Sequence, residues 1–258
     1  MPRVDEIKQD MQAFYASEAQ ALGSESWIRA GGSARVPESR ASQYFVGRKV
    51  EEAIALTGLE PDRRVLEVGC SFGHMTFLLA ERFREVVAVD LSGESVELAR
   101  RRAAHYGVRN VEFHQADAEN LERVADGSFD GAFSFSTIRF CPHPERALAE
   151  IHRALKPDGV VAVDVPNRDC PWYGPLKRLL RIAPHIHDRL YTLGEIREGL
   201  RQAGFAEVRA RHILFTTKRV PDTLLPAFKL LDRALEPVPG VRRLSGIIMA
   251  AGRKDGGR

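Results

Sequence analysis

Apolar residues occur along this chain in short blocks of two alternating kinds. Val65-Leu66-Glu67-Val68, Val86-Val87-Ala88-Val89 and Val160-Val161-Ala162-Val163 are near-continuous runs, the pattern of strands covered on both faces. Between them, residues 74–80, the set Val96, Leu98, Ala99 and Ala103, and the set Ala147, Leu148, Ile151 and Leu155 repeat at helical spacing. Strand alternating with helix predicts an α/β domain with a doubly wound, mostly parallel sheet. Further strands are expected at 111–118, 131–136, 205–214 and 244–251. Further helices are expected at 1–22, 44–56 and 222–236. Lys156-Pro157-Asp158-Gly159 should end one helix. Thr192 followed by Glu195 predicts a capping box at the start of another, and Gly204 its end.

Val65-Leu66-Glu67-Val68-Gly69-Cys70-Ser71-Phe72-Gly73-His74 organises the rest. An apolar strand ends on an acid, a glycine-bearing turn follows, and a helix begins. Gly69 and Gly73 let the backbone turn sharply and approach a ligand closely. In open parallel sheets, ligands sit outside the carboxyl ends of the strands. Glu67 is an acceptor suited to a cationic amine. Asp90 closes the next strand near the spacing at which an acid binds ribose hydroxyls. Asp117, with Ala118 after it, closes the third. A nucleoside beside the turn is the expectation.

Composition narrows the class. With 258 residues, 44% hydrophobic and 28% charged, the chain fits one globular domain with additions. No apolar run reaches the ~20 residues of a spanning helix, and residues 1–6 lack a secretory apolar block. Cys70, Cys141 and Cys170 are far apart, which argues against disulfides and a zinc site, so no metal is expected and a cytoplasmic location is. The net charge of +3 is uneven: residues 209–258 hold 11 Lys and Arg against 4 Asp and Glu. A basic end suits an acidic substrate, RNA or an anionic membrane surface. It also suits ordinary solvated surface.

The segments VLEVGCSFGHMT, VVAVDLS, HQADAENL and SFDGAFSFSTIRFCPHPERALAEIHRALKPDGVVAV, in this order, resemble the class I S-adenosylmethionine (SAM) methyltransferases, especially the branch that modifies small molecules and lipids. The resemblance covers roughly residues 45–165. It implies a seven-stranded Rossmann-like sheet with SAM as cofactor. It also implies roles. Glu67, Gly69 and Gly73, with Cys70 among them, would flank the amino-acid end. Asp90 would hold the ribose, Leu91 would lie against the adenine, Asp117 and Ala118 would read the adenine edge, and Ser134 would line the site. Two pairs depart from the family. Ser71 and Phe72 stand where glycine and a small polar residue are usual, which should narrow the methionine end. Phe140 and His143 stand where His and Asp are often found.

The expected organisation is an N-terminal helical cap (1–44), a SAM-binding core (45–165), a lid segment (166–191) and a C-terminal part of the core (192–258) with the helix 222–236 inserted. Tyr15 and Tyr44 are candidate aromatics near the methyl group. A hydroxyl acceptor benefits from a general base, and His143, His185 and His187 are the candidates by location. The favoured reading is methyl transfer to a small-molecule or lipid-like acceptor, at oxygen. The alternatives are C-methylation of a quinone or lipid-type acceptor and a non-catalytic SAM-binding or RNA-associated subunit. Nucleic acid is disfavoured as a substrate, because residues 136–139 lack the Asn/Asp-Pro-Pro-Tyr/Phe element of base and amide methylation. The apolar face of 222–236 is expected to pack on the domain, to join two copies in a homodimer, or to meet a lipid-linked acceptor or a membrane surface.

Overall fold

A computed structural model describes residues 3–23, 39–171 and 189–256. The apolar runs form β1 (Arg64–Val68), β2 (Glu85–Asp90), β3 (Val111–Gln115), β4 (Phe129–Phe135) and β5 (Leu155–Pro166). β6 (Phe205–Ile213) and β7 (Ile247–Lys254) complete one seven-stranded sheet in the order β3-β2-β1-β4-β5-β7-β6. Only β7 is antiparallel to its neighbours. It starts three residues later than expected, after a 3-10 turn at Val241–Leu244. Successive strand residues point to opposite faces. Val65, Phe133, Ala162 and Met249 form one core with Val50, Ala53 and Leu56 of α2 (Arg40–Thr57) and Leu79 of α3 (His74–Ala80). On the same face, α4 (Gly93–His105) packs Val96, Ala99 and Ala103 against Ala88 and Phe113. Leu66, Val163 and Ile248 face the other core, closed by Leu148 and Ile151 of α5 (Pro144–Ala154) and Ile196 and Leu200 of α6 (Leu193–Gln202).

α5 ends at Ala154, earlier than the Lys-Pro-Asp-Gly signal, because the residue before a proline is pushed toward extended backbone and Leu155 already pairs with Phe129. The capping box at Thr192 and Glu195 is present. α7 (Leu225–Leu235) is the helix inserted before β7. Its acids anchor it. Asp232 accepts from Phe215 N at 2.6 Å and Thr216 N at 3.1 Å, and Glu236 accepts from Leu214 N at 2.9 Å. Excising 222–236 would therefore strip partners from these amides and would not leave the core untouched.

β1 lies between β2 and β4, where the winding direction of the sheet reverses. Ligands of such sheets bind outside the strand ends at this point. α1 (Val4–Gly23) lies across it: Ala19 meets Phe72 and Leu98, and Gln12 Nε2 donates to Leu91 O at 3.2 Å. Among the described residues no helix is long and apolar enough to cross a membrane.

Candidate functional site

The turn after β1 is held by the neighbouring strand. Gly69 N and Cys70 N both donate to Val89 O, at 2.8 and 3.0 Å. Gly69 has φ 86°, and a Cβ there would lie 1.9 Å from Thr137 Oγ1. Gly69→Ala is therefore expected to lower stability by about 2 kcal/mol or more, from the left-handed backbone plus the clash. A thermal melt unchanged within a degree or so would contradict this. Ser71 takes φ 47°, where glycine is free of strain. Its N–H donates to Asp90 Oδ2 at 2.8 Å, while Ser92 N donates to Asp90 Oδ1 at 3.0 Å. Burial raises the Asp90 pKa, and these amides work against that rise. Each oxygen keeps a further lone pair for a ligand hydroxyl.

Glu67, the last residue but one of β1, is only 1% exposed, and its Oε2 is buried without a hydrogen-bond partner. Burial pushes its pKa up to about 7, with the Thr76 hydroxyl working against the rise and the Asp90 charge adding to it. A buried carboxylate oxygen left without a donor is costly unless a ligand supplies one.

Both acids open onto a cavity of about 450 Å³ that Gly69, Cys70, Leu91, Asp117 and Ala118 also line. Burial pushes the Cys70 thiol well up, so it serves as a small apolar wall. Asp117 Oδ1 accepts from Glu119 N at 2.9 Å, and Lys8 of α1 reaches Asp117 Oδ2 at 2.6 Å and Glu119 Oε2 at 2.7 Å. At the other end stand Tyr15, Phe135, Phe140, Lys218, Lys49 and Ser136. Lys49 is 1% exposed; its Nζ lies 2.8 Å from both Asp164 Oδ1 and Ser136 Oγ. Asp164 in turn accepts from Ser136 N and Ser136 Oγ, each at 3.1 Å. A wider, more open hollow of about 740 Å³ between α1 and α4 includes none of these acids.

Residues 66–163 match the family described as methyltransferase domain. The chain is 29% identical over 194 residues to an S-adenosyl-L-methionine-dependent Diels-Alderase of Talaromyces variabilis, covering 71% of this chain and 64% of that one. It is 34% identical over 133 residues to trans-aconitate 2-methyltransferase of Deinococcus radiodurans, covering 49% of each. The chain thus spans less than two thirds of the length of these curated relatives. Among solved structures, the 4+2 cyclase SpnF superposes with TM-score 0.60 at 23% identity over 86% of this chain and 85% of that one. A SAM-dependent methyltransferase from Thermotoga maritima gives 0.59 at 24%, over 82% and 93%. At these identities the superpositions show the fold. Residues 66–163 are thus similar to the methyltransferase domain of the class I SAM-dependent methyltransferases.

Several residues expected at a methyltransferase site lie elsewhere. Ser134 is fully buried inside the sheet, its Oγ donating to Val68 O at 3.1 Å, and it does not line the cavity. β4 runs one residue further, so Ser136 and Thr137 form the rim instead. Gly73 serves the turn: it caps α3 at φ 81°, and a Cβ would meet the Phe77 ring at 2.9 Å. His143 does not line the cavity either. It precedes α5, its N–H donates to Glu119 Oε1 at 2.7 Å, and its ring lies 3.3 Å from Glu145 Oε1. Tyr15 lines the cavity, whereas Tyr44 packs with Phe228 beside Ala41, under the Lys229 ammonium. His185, His187 and most of the 166–191 segment lie outside the described residues.

Lys49, Ser136, Asp164 and Lys8 went unread in the sequence. Lys49 left one trace, a lysine on the buried stripe of Val46, Val50 and Ala53. Lys8 left none.

Proposed function

We propose that the cavity binds SAM and that the protein transfers its methyl group to a small-molecule or lipid-like acceptor, at oxygen. The observation that carries this reading is the buried, unpartnered Glu67 Oε2 facing a cavity at the switch point, with Asp90 beside it. SAM supplies an electrophilic methyl on a sulfonium when bound. Glu67 accepts from its ammonium. Asp90 accepts from the ribose hydroxyls, Leu91 packs against the adenine, and Asp117 with the Ala118 N–H reads the adenine edge. Asp117 then shares its carboxylate between the adenine amine and Lys8. Tyr15, Phe135 and Phe140 exclude water, which strengthens the electrostatics within. Orientation is the main catalytic lever of this arrangement. Among the described residues the one imidazole on the cavity is His74, whose pKa burial and Arg102 hold down to about 3, so it is a poor base.

Glu67 makes a pH signature. In the empty protein it is protonated below about 7, and the ligand ammonium favours the carboxylate. S-adenosylhomocysteine affinity should therefore tighten on the order of tenfold as pH rises from about 5.5 to about 7, with proton release. The ligand amine, with its ordinary pKa of about 8, stays charged through that window. Calorimetry in buffers of differing ionisation enthalpy checks this, and Glu67→Gln should flatten the profile. A flat wild-type profile would contradict it.

One relative, whose match covers 71% of this chain, is named a SAM-dependent Diels-Alderase, which favours a second reading: cyclisation of a bound small molecule with no methyl transferred. Incubation with SAM and panels of phenolic, carboxylic and quinone-type acceptors separates the two. Formation of S-adenosylhomocysteine supports methyl transfer. Cyclised product with intact SAM supports the second reading. No SAM binding rejects both.

A further inference from the structure

All five exposed large apolar side chains among the described residues fall between positions 224 and 244: Leu224, Leu230, Leu231, Val238 and Leu244. Leu230 is 68% exposed. At 100° per residue, Leu224, Ala227, Leu230, Leu231 and Ala234 share one side of α7, and all five are exposed. Leu225 and Asp232, on the opposite side, are buried against the domain. The helix therefore turns an apolar face outward, the reverse of an ordinary surface helix.

The charges around this face are sorted by sign. Arg219, Arg233, Arg242 and Arg243 are exposed. The acids of the same segment are engaged by the domain: Asp232 points inward and accepts from Phe215 N and Thr216 N, half-buried Glu236 accepts from Arg48 Nη2 at 2.7 Å, and exposed Asp222 accepts from Ala41 N at 3.1 Å. What remains outside is leucine edged with arginine. We propose that this face is a binding surface for an anionic lipid bilayer, with the apolar residues entering the headgroup boundary and the arginines meeting lipid phosphates and carboxylates. A second copy of the chain fits less well. A two-fold interface lays the patch on itself and brings like arginines together, with the acids already engaged. Lys218, six residues ahead of Leu224 in the chain, lines the cavity of the proposed site.

The test is co-sedimentation of the full chain with phosphatidylcholine vesicles, with and without phosphatidylglycerol. The protein should bind the anionic vesicles, bind the neutral ones at least tenfold more weakly, and be released by salt. Leu230→Glu/Leu231→Glu should abolish sedimentation, and Arg242→Glu/Arg243→Glu should weaken it at least tenfold. S-adenosylhomocysteine titration and thermal melts of the same variants should match wild type, which separates loss of the surface from loss of the fold or of cofactor binding. No sedimentation of wild type with anionic vesicles would overturn the proposal. So would a wild-type dimer in solution that Leu230→Glu/Leu231→Glu converts to monomer, because the face would then join two copies.

Discussion

Lys49→Met is expected to cost the fold about 3–5 kcal/mol, the range for removing one partner of a buried ion pair. The Lys49 side chain is 2% exposed and the Asp164 side chain 0%, with 2.8 Å between Nζ and Oδ1. Methionine nearly matches the volume, so the loss comes from charge, not from a cavity. Asp164 would be left buried with two donors from Ser136 and no cation. Burial already lowers the Lys49 pKa and Asp164 works against it, the signature of a pair held against desolvation. Lys49→Met/Asp164→Leu should recover much of the loss, because desolvation is then removed with the attraction. Urea denaturation across the double-mutant cycle measures the coupling. Additive single-mutant effects would show that the pair does not act as a unit. The single variant should also lose turnover, since it removes the Lys49 Nζ donor to Ser136 Oγ, and Ser136 sits at φ 56° on the cavity rim.

Asp90→Ala has the second largest expected effect, a loss of S-adenosylhomocysteine affinity of about a hundredfold or more. Hydrogen bonds to a charged group contribute about 1.5–3 kcal/mol each, and two ribose hydroxyls would lose theirs. The substitution also frees Ser71 N and Ser92 N, so the turn and the start of α4 lose their shared anchor. A calorimetric Kd within threefold of wild type would place the ribose elsewhere.

The parts of the site that could be read in advance carry local punctuation. Asp90 ends one apolar run and Glu67 lies one residue before the end of another, with Gly69 directly after that strand, so strand period and turn chemistry locate them without knowledge of tertiary contacts. Ser134 shows the limit. Its motif marks it, but whether a side chain near a strand end faces the sheet or the rim depends on register: Phe135 still follows it in β4, and Ser134 Oγ turns inward to Val68 O. Lys49 was hidden for another reason: a lysine in an amphipathic helix reads as solvated, and only the fold brings Asp164 beneath it. His143 was placed by proximity in sequence to the active edge, whereas its backbone is held by Glu119 and its ring turns to Glu145. For α7, spacing revealed an apolar face but not its direction, which Asp232, buried against the domain, and half-buried Glu236 decide.

A crystal structure with S-adenosylhomocysteine tests the central claim most directly. The ligand ammonium should lie within hydrogen-bond distance of Glu67 Oε2, the ribose hydroxyls on Asp90, and the adenine between Leu91 and the Asp117–Ala118 edge. A ligand bound elsewhere, or one seated in the cavity with Glu67 Oε2 still unpartnered, would contradict it.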